Sequence, residues 1–134
     1  MGEIAGMGID LVDVARFERL LDEWPRMGSR LFTDAERAYA AGRQRPGEHL
    51  AARFAAKEAA FKALGAGWPR IAWHDVEVVA TAGAPHLALR GRAAALAAGA
   101  RALVSLSHDG GMAVAQVLLV GDTGAEQDRP AERG

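Results

Sequence analysis

"RFAAKEAAFKALG", residues 53–65, is the stretch on which the reading of the fold turns. Taking about 100° of rotation per residue, Leu50, Phe54, Phe61 and Leu64 fall within one narrow stripe, as in a helix with one face toward a core. Lys57 sits in the middle of that stripe, and Glu58 and Lys62 lie along one border. A charged side chain is rarely buried without a partner. Taken alone, Glu58 and Lys62 are a solvated pair four residues apart, worth roughly 0.2–0.5 kcal/mol to the helix. Lys57 weighs against that reading, because a lysine centred in an apolar stripe must snorkel or meet an anion. A packing edge with one carboxylate and two lysines suits a metal-bound polyanion.

Working outward, this helix is expected from about Glu48 to Leu64, stopped by Gly65 and Gly67. "GRQRPG" (42–47) before it is a basic loop, and "LFTDAERAYA" starts a helix at a capping box formed by Thr33 and Glu36. "WPRMGSR" separates it from an earlier helix through Pro25 and Gly28. That earlier helix, "DVARFERLLDE", is capped by Asp13 and carries the stripe Val14, Phe17, Leu20 and Leu21. It follows "IAGMGIDLV" (4–12), a short apolar strand.

On the other side, "HDVEVVA" and "PHLALRG" read as strands joined through "TAGA", and "GRAAALAAGA" as a short helix ending near Gly99. "RALVSLSH" and "MAVAQVLLV" flank "DGG", a strong hairpin signature. "GDTGAEQDRPAERG" is polar and reads as a frayed tail. With no repeat and no linker, one domain is expected over 1–121 and a tail over 122–134. Helices combined with antiparallel hairpins predict an α+β fold.

The totals exclude several classes. A chain of 134 residues suits a single core, and half hydrophobic with a quarter charged is ordinary globular composition. A net charge of −1 argues against a general nucleic-acid binder. No apolar run reaches the ~18 residues of a membrane span. The start, "MGEIAGMGID", lacks the basic and apolar regions of a signal peptide. Without cysteine there is no disulfide, thiolate metal site or cysteine nucleophile. A cytoplasmic protein is the simplest expectation.

Asp10 lies near the end of the first strand, on the side of Gly8 and Val12. Asp13 accounts better for the helix cap, which leaves Asp10 free to serve as an oxygen ligand. Mg²⁺ typically takes one or two protein carboxylates and completes its shell with water and phosphate oxygens, and Asp10 with Glu58 would make such a pair. In "SLSHDGG", Ser107, His108 and the glycine N–H groups could bind phosphate oxygens. No glycine elbow surrounds the serine, which argues against serine catalysis. Walker, GxGxxG and HExxH patterns are missing, and His49, His74 and His86 are too scattered for zinc. Arg43, Arg45 and Arg53 are solvated charges by default, or phosphate forks beside the candidate site.

Three segments taken together, "GIDLVDVARFE", "RFAAKEAAFKALG" and "SLSHD", resemble the bacterial holo-[acyl-carrier-protein] synthases of the 4'-phosphopantetheinyl transferase superfamily. The resemblance runs from about Gly6 to Val120. It implies an α+β fold, a single-half subunit, and transfer of phosphopantetheine from coenzyme A to a serine of an apo-acyl carrier protein with Mg²⁺. By position, Asp10 and Glu58 look like the metal ligands and Lys62 the group that steadies the diphosphate. Arg53, Gly65, Ser107 and His108 fall where family members contact the coenzyme A nucleotide, with Arg45 and Lys57 beside them. Arg16 and Arg26 look similar to carrier-protein contacts. The resemblance also implies a homotrimer with active sites shared between subunits. A Mg²⁺-dependent nucleotide phosphoesterase and a non-catalytic binding module are the rival expectations, and no nucleic acid or membrane partner is expected.

Overall fold

Two glycines set the architecture. In the computed structural model, which describes residues 2–121, strand β1 (Ile4–Asp13) lies directly against helix α4 (Pro46–Leu64). Gly6 and Gly8 share the inward side of β1. A Cβ at Gly6 would collide with the Ala63 carbonyl oxygen, and one at Gly8 with that of Ala59. On the helix, Ala55, Ala56, Ala59 and Ala60 are buried and present almost no side-chain bulk. Strand and helix therefore meet nearly backbone to backbone.

The helix is buried around most of its circumference. The expected stripe is only partly what packs: Phe61 is buried, whereas Leu50, Phe54 and Leu64 are half-buried at its margins. The alanines fill the centre, so α4 is the core of the domain rather than a one-sided amphipathic helix. It starts at Pro46, two residues before the expected position, with proline in the first turn. It ends at Gly65, which adopts the left-handed conformation at φ 78° that glycine tolerates best.

Helix α1 (Val14–Glu23) follows β1 without a loop, and the Asp13 side chain accepts from the Arg16 N–H as an N-cap. The segment read as a plain break forms a further short helix, α2 (Met27–Leu31). Its five residues carry no helical period long enough to be seen in sequence. Helix α3 (Asp34–Ala41) has the predicted capping box of Thr33 and Glu36. After α4, a single 3₁₀ turn (Trp73–Asp75) leads into the antiparallel pair β2 (Val76–Val79) and β3 (His86–Leu89). Helix α5 (Gly91–Ala97) precedes the hairpin of β4 (Arg101–Asp109) and β5 (Met112–Val120).

The larger sheet has the order β1-β5-β4, antiparallel throughout. Ala113, Ala115, Val117 and Leu119 of β5 point inward to α4. The opposite face is open: Met7, Leu118 and Leu103 form one cross-strand row, and Leu11, Val114 and Ser107 another. Met7, Ile9 and Leu11 are each about 60% exposed there. The tail expected over 122–134 lies outside the described residues.

Candidate active site

Asp10 extends from the inward side of β1 immediately beyond the glycine contact, beside the Glu58–Lys62 turn of α4. Lys62 Nζ donates to the Ile9 carbonyl at 2.9 Å and to Asp10 Oδ1 at 3.3 Å. Asp10 and Glu58 line one open groove of about 690 Å³ together with Arg16, Phe17, Arg19 and Phe54. Glu58 also lines the adjoining groove of about 510 Å³, with Lys62, Gly65, Trp68 and Trp73. Burial pushes the Glu58 carboxyl up from its ordinary range, the Asp10 charge pushes it further, and Lys62 only partly opposes them. Two carboxylates thus share a site with less positive charge than they require. This donor set fits a hard cation such as Mg²⁺, for which water and phosphate oxygens complete the shell. Among the described residues, no cluster of three or more His, Cys, Asp or Glu side chains forms elsewhere as a competing metal site.

Lys57, the neighbour of Glu58, goes elsewhere. Of the two expectations for Lys57, direct contact with coenzyme A or support from behind the site, its geometry fits the second, because the side chain is fully buried and its donors are occupied within the chain. Its Nζ pairs with Glu36 Oε1 at 2.9 Å and donates to the carbonyls of Trp73, at 3.1 Å, and Val76. Glu36 also accepts from the N–H groups of Thr33, at 2.9 Å, and Val78, at 2.8 Å. The capping-box glutamate is therefore the counter-ion of the core lysine. Thr33 Oγ1 donates to Glu77, which Arg90 also grips, and both hold the Glu77 carboxyl below its ordinary range. This lattice ties α3, α4, the 3₁₀ turn and β2 together. It also fixes Trp73, whose ring packs on Phe54, Phe61 and Trp68 beside the second groove.

Arg53, Ser107 and His108 line a separate cleft of about 210 Å³ with Tyr39, His49 and the loop 80–85. Arg53 is only 4% exposed, and its Nε has no hydrogen-bond partner among the described residues. Burial pulls the Arg53 guanidinium down from its ordinary range. Burial and then the Arg53 charge likewise lower His49, which favours its neutral form. His108 Nδ1 lies 3.4 Å from Glu48. Within one chain, then, the expected nucleotide residues are divided: Gly65 belongs to the Lys62 groove and the other three to this cleft.

The remaining predicted residues disperse. Arg45 lines neither groove nor cleft, because Glu18 holds its fork through two hydrogen bonds of 2.8 and 3.2 Å. That partner lies 27 residues away, beyond any local pattern. Arg16 lines the acidic groove, whereas Arg26 lies on a patch with Trp24 and Arg30. Arg19 in the carboxylate groove, Trp73 in the Lys62 groove and Tyr39 in the cleft carry no sequence signal, since a lone aromatic looks like ordinary packing and a lone arginine like a solvated charge.

The family model of the 4'-phosphopantetheinyl transferase superfamily, described as ACPS, matches residues 6–115. The chain belongs to the 4'-phosphopantetheinyl transferase superfamily. The holo-[acyl-carrier-protein] synthase of Geobacter sulfurreducens is 52% identical over 122 residues, 87% of this chain and 97% of that protein. That of Frankia alni is 52% identical over 119 residues, 86% of this chain and 96% of that protein.

Two solved members of the superfamily agree in fold. A holo-(acyl-carrier-protein) synthase from Bacillus anthracis, in complex with CoA (3',5'-ADP), is 36% identical with a TM-score of 0.74, covering 89% of this chain and 98% of that one. The Chronobacterium ammoniagenes ACPS-CoA complex is 31% identical with a TM-score of 0.77, covering 87% and 97%. The α+β class expected from the helices and hairpins is that of these transferases.

Proposed function

We propose that this chain is a holo-[acyl-carrier-protein] synthase, transferring the 4'-phosphopantetheine group of coenzyme A to a serine of an apo-acyl carrier protein. The observation that carries this reading is the convergence of Asp10, Glu58 and Lys62 where two adjoining open grooves meet at Glu58, in a chain about half identical to enzymes of that name. In the reaction, the serine oxygen forms a bond to the phosphorus nearest pantetheine. The bond from that phosphorus to the bridging oxygen breaks, and adenosine 3',5'-bisphosphate leaves with the electron pair. The serine proton passes to an ordered water.

Transfer of this kind depends on positioning and on compensation of negative charge. Asp10 and Glu58 would hold Mg²⁺, which when bound supplies charge neutralisation and Lewis acidity toward the diphosphate. Lys62 is held by Ile9 and Asp10 and remains half-exposed, so its ammonium can turn toward a phosphate oxygen. Arg53, Ser107 and His108 would grip the nucleotide end, with Gly65 bordering the Lys62 groove. Arg45 would have to release Glu18 to join them. Arg16, at the mouth of the acidic groove, and Arg26 would meet the carrier protein.

A homotrimer with shared sites belongs to the same reading. The carboxylate groove and the arginine cleft open separately on a single chain, so one coenzyme A would draw them from neighbouring subunits. The row of exposed Met7 and Leu103 with half-buried Leu118 between them offers an apolar face for that contact. A cytoplasmic setting completes the proposal; no helix among the described residues is long and apolar enough to cross a membrane.

The deciding experiment incubates the chain with coenzyme A, apo-carrier protein and Mg²⁺, and reads the carrier by mass spectrometry. A gain of phosphopantetheine that disappears with chelator is expected. Nucleotide release without a carrier mass gain would make the chain a phosphoesterase instead.

A further inference from the structure

The arginine cleft contains a side chain that the transfer reading leaves unused. The Tyr39 ring is clasped between two guanidinium groups, with Arg43 at 4.1 Å and Arg53 at 4.2 Å from its centroid. His49 meets the same ring edge-on, at 5.8 Å between centroids and 74° between planes. An aromatic face attracts a cation, but two cations on one ring also repel each other. Among the described residues the nearby carboxylates relieve them only in part: Glu36 favours the Arg53 charge but is paired with Lys57, and Glu48 faces His108. The arrangement leaves a buried, partly unpartnered arginine held over the Tyr39 ring beside Ser107 and His108, with more positive than negative charge among the described residues. The chemical class that satisfies it is a phosphate dianion.

We propose that Tyr39 is a positioning residue of the transfer reaction, its ring holding the Arg53 guanidinium as a preset fork for the phosphate monoester of coenzyme A. The inference rests on the reading that Arg53 meets the coenzyme A nucleotide. Coenzyme A carries phosphate in two places, a diphosphate and a monoester on its ribose. The diphosphate is the part that reacts and suits the adjoining grooves of Asp10, Glu58 and Lys62, which leaves the monoester for the cleft. A free arginine gives up rotamer freedom when it grips a ligand, whereas a stacked one has already lost it. Tyr39 therefore acts on substrate binding and not on the chemical step.

The test measures kcat and KM of the full chain with apo-carrier protein, using coenzyme A and 3'-dephospho-coenzyme A. Tyr39→Leu is expected to raise KM for coenzyme A about tenfold, with kcat within about twofold and KM for the dephospho compound unchanged. Tyr39→Phe keeps the ring and should restore both values. A Tyr39→Leu enzyme that shifts both substrates equally, or neither, overturns the proposal. Arg53→Gln separates the two layers. If it raises KM for coenzyme A while Tyr39→Leu does not, the role of Tyr39 falls and the placement of the nucleotide stands. If Arg53→Gln also has no effect, the nucleotide assignment of Arg53 falls with it. Circular dichroism checks folding, and Tyr39→Gln replaces the leucine variant should that one unfold.

Discussion

Lys57 and Glu58 are consecutive residues of one helix, yet they face opposite kinds of surroundings. The Lys57 side is a closed lattice in which the charges are satisfied from within the chain by Glu36, two carbonyls, Thr33 and Arg90. The Glu58 side is open, and its carboxyl is pushed up by burial and by Asp10. Charge that the fold satisfies is structural, whereas charge that it leaves in excess awaits a ligand. The two carboxylates follow this contrast, Glu77 in the lattice held low and Glu58 in the groove high, while burial still lowers Lys57 against the pull of Glu36.

That contrast can be broken by substitution. Lys57→Met leaves Glu36 buried without its counter-ion and should destabilise the chain by about 3–5 kcal/mol in denaturant unfolding. A variant of full stability but raised KM for coenzyme A would mean that Lys57 belongs to the open side after all. Asp10→Ala or Glu58→Ala should do the reverse, keeping the fold while lowering transfer about 100-fold or more in the mass-shift assay. Unchanged transfer with Glu58→Ala would remove the metal assignment. Gly8→Ala acts between the two sides, driving a methyl group into the Ala59 carbonyl. A loss of about 1–3 kcal/mol is expected, together with reduced transfer as β1 and α4 separate.

The smallest effect is a pair of opposite pH profiles, read by thermal unfolding of the metal-free chain. Glu77 is lowered in the fold, so its stabilisation is present above the ordinary carboxylate value of 4.5 and is lost as pH falls through the depressed value. Glu77→Gln should therefore cost stability at neutral pH and nothing in acid. Glu58 is raised, so its ionised form costs stability above its folded pKa, and that cost vanishes below the ordinary value of 4.5. Glu58→Gln should then stabilise the metal-free chain at neutral pH by less than about 1 kcal/mol, since solvent screens the site. Mg²⁺ should stabilise the wild type and not this variant. Profiles of the same sign would erase the distinction between lattice and groove.

The sequence was most legible where the physics is local. The Asp13 cap, the Thr33–Glu36 box, the Gly65 stop and the Asp109–Met112 hairpin each depend on residues a few positions apart. Asp10, Glu58 and Lys62 were legible as candidates because their types and positions matched a family pattern, while their convergence required the glycine contact of β1 with α4. Contacts set by distant parts of the chain stayed hidden. Lys57 looked like a substrate ligand because Glu36 is 21 residues away, and Arg45 looked free because Glu18 lies 27 residues away on α1. The stripe on α4 misled for a related reason: hydrophobic periodicity weights large side chains, while this core is built on alanine.

The backbone contact of Gly6 and Gly8 with Ala63 and Ala59 bears on how such a site tolerates change. The spacing of Asp10 from Glu58 is set by peptide groups touching peptide groups, as a hinge pin sets the gap between two plates. Repacking the larger side chains of the core can loosen or tighten the domain without altering that gap. Variation elsewhere is thereby uncoupled from the chemistry, and the freedom is purchased by two positions at which no side chain of any size fits.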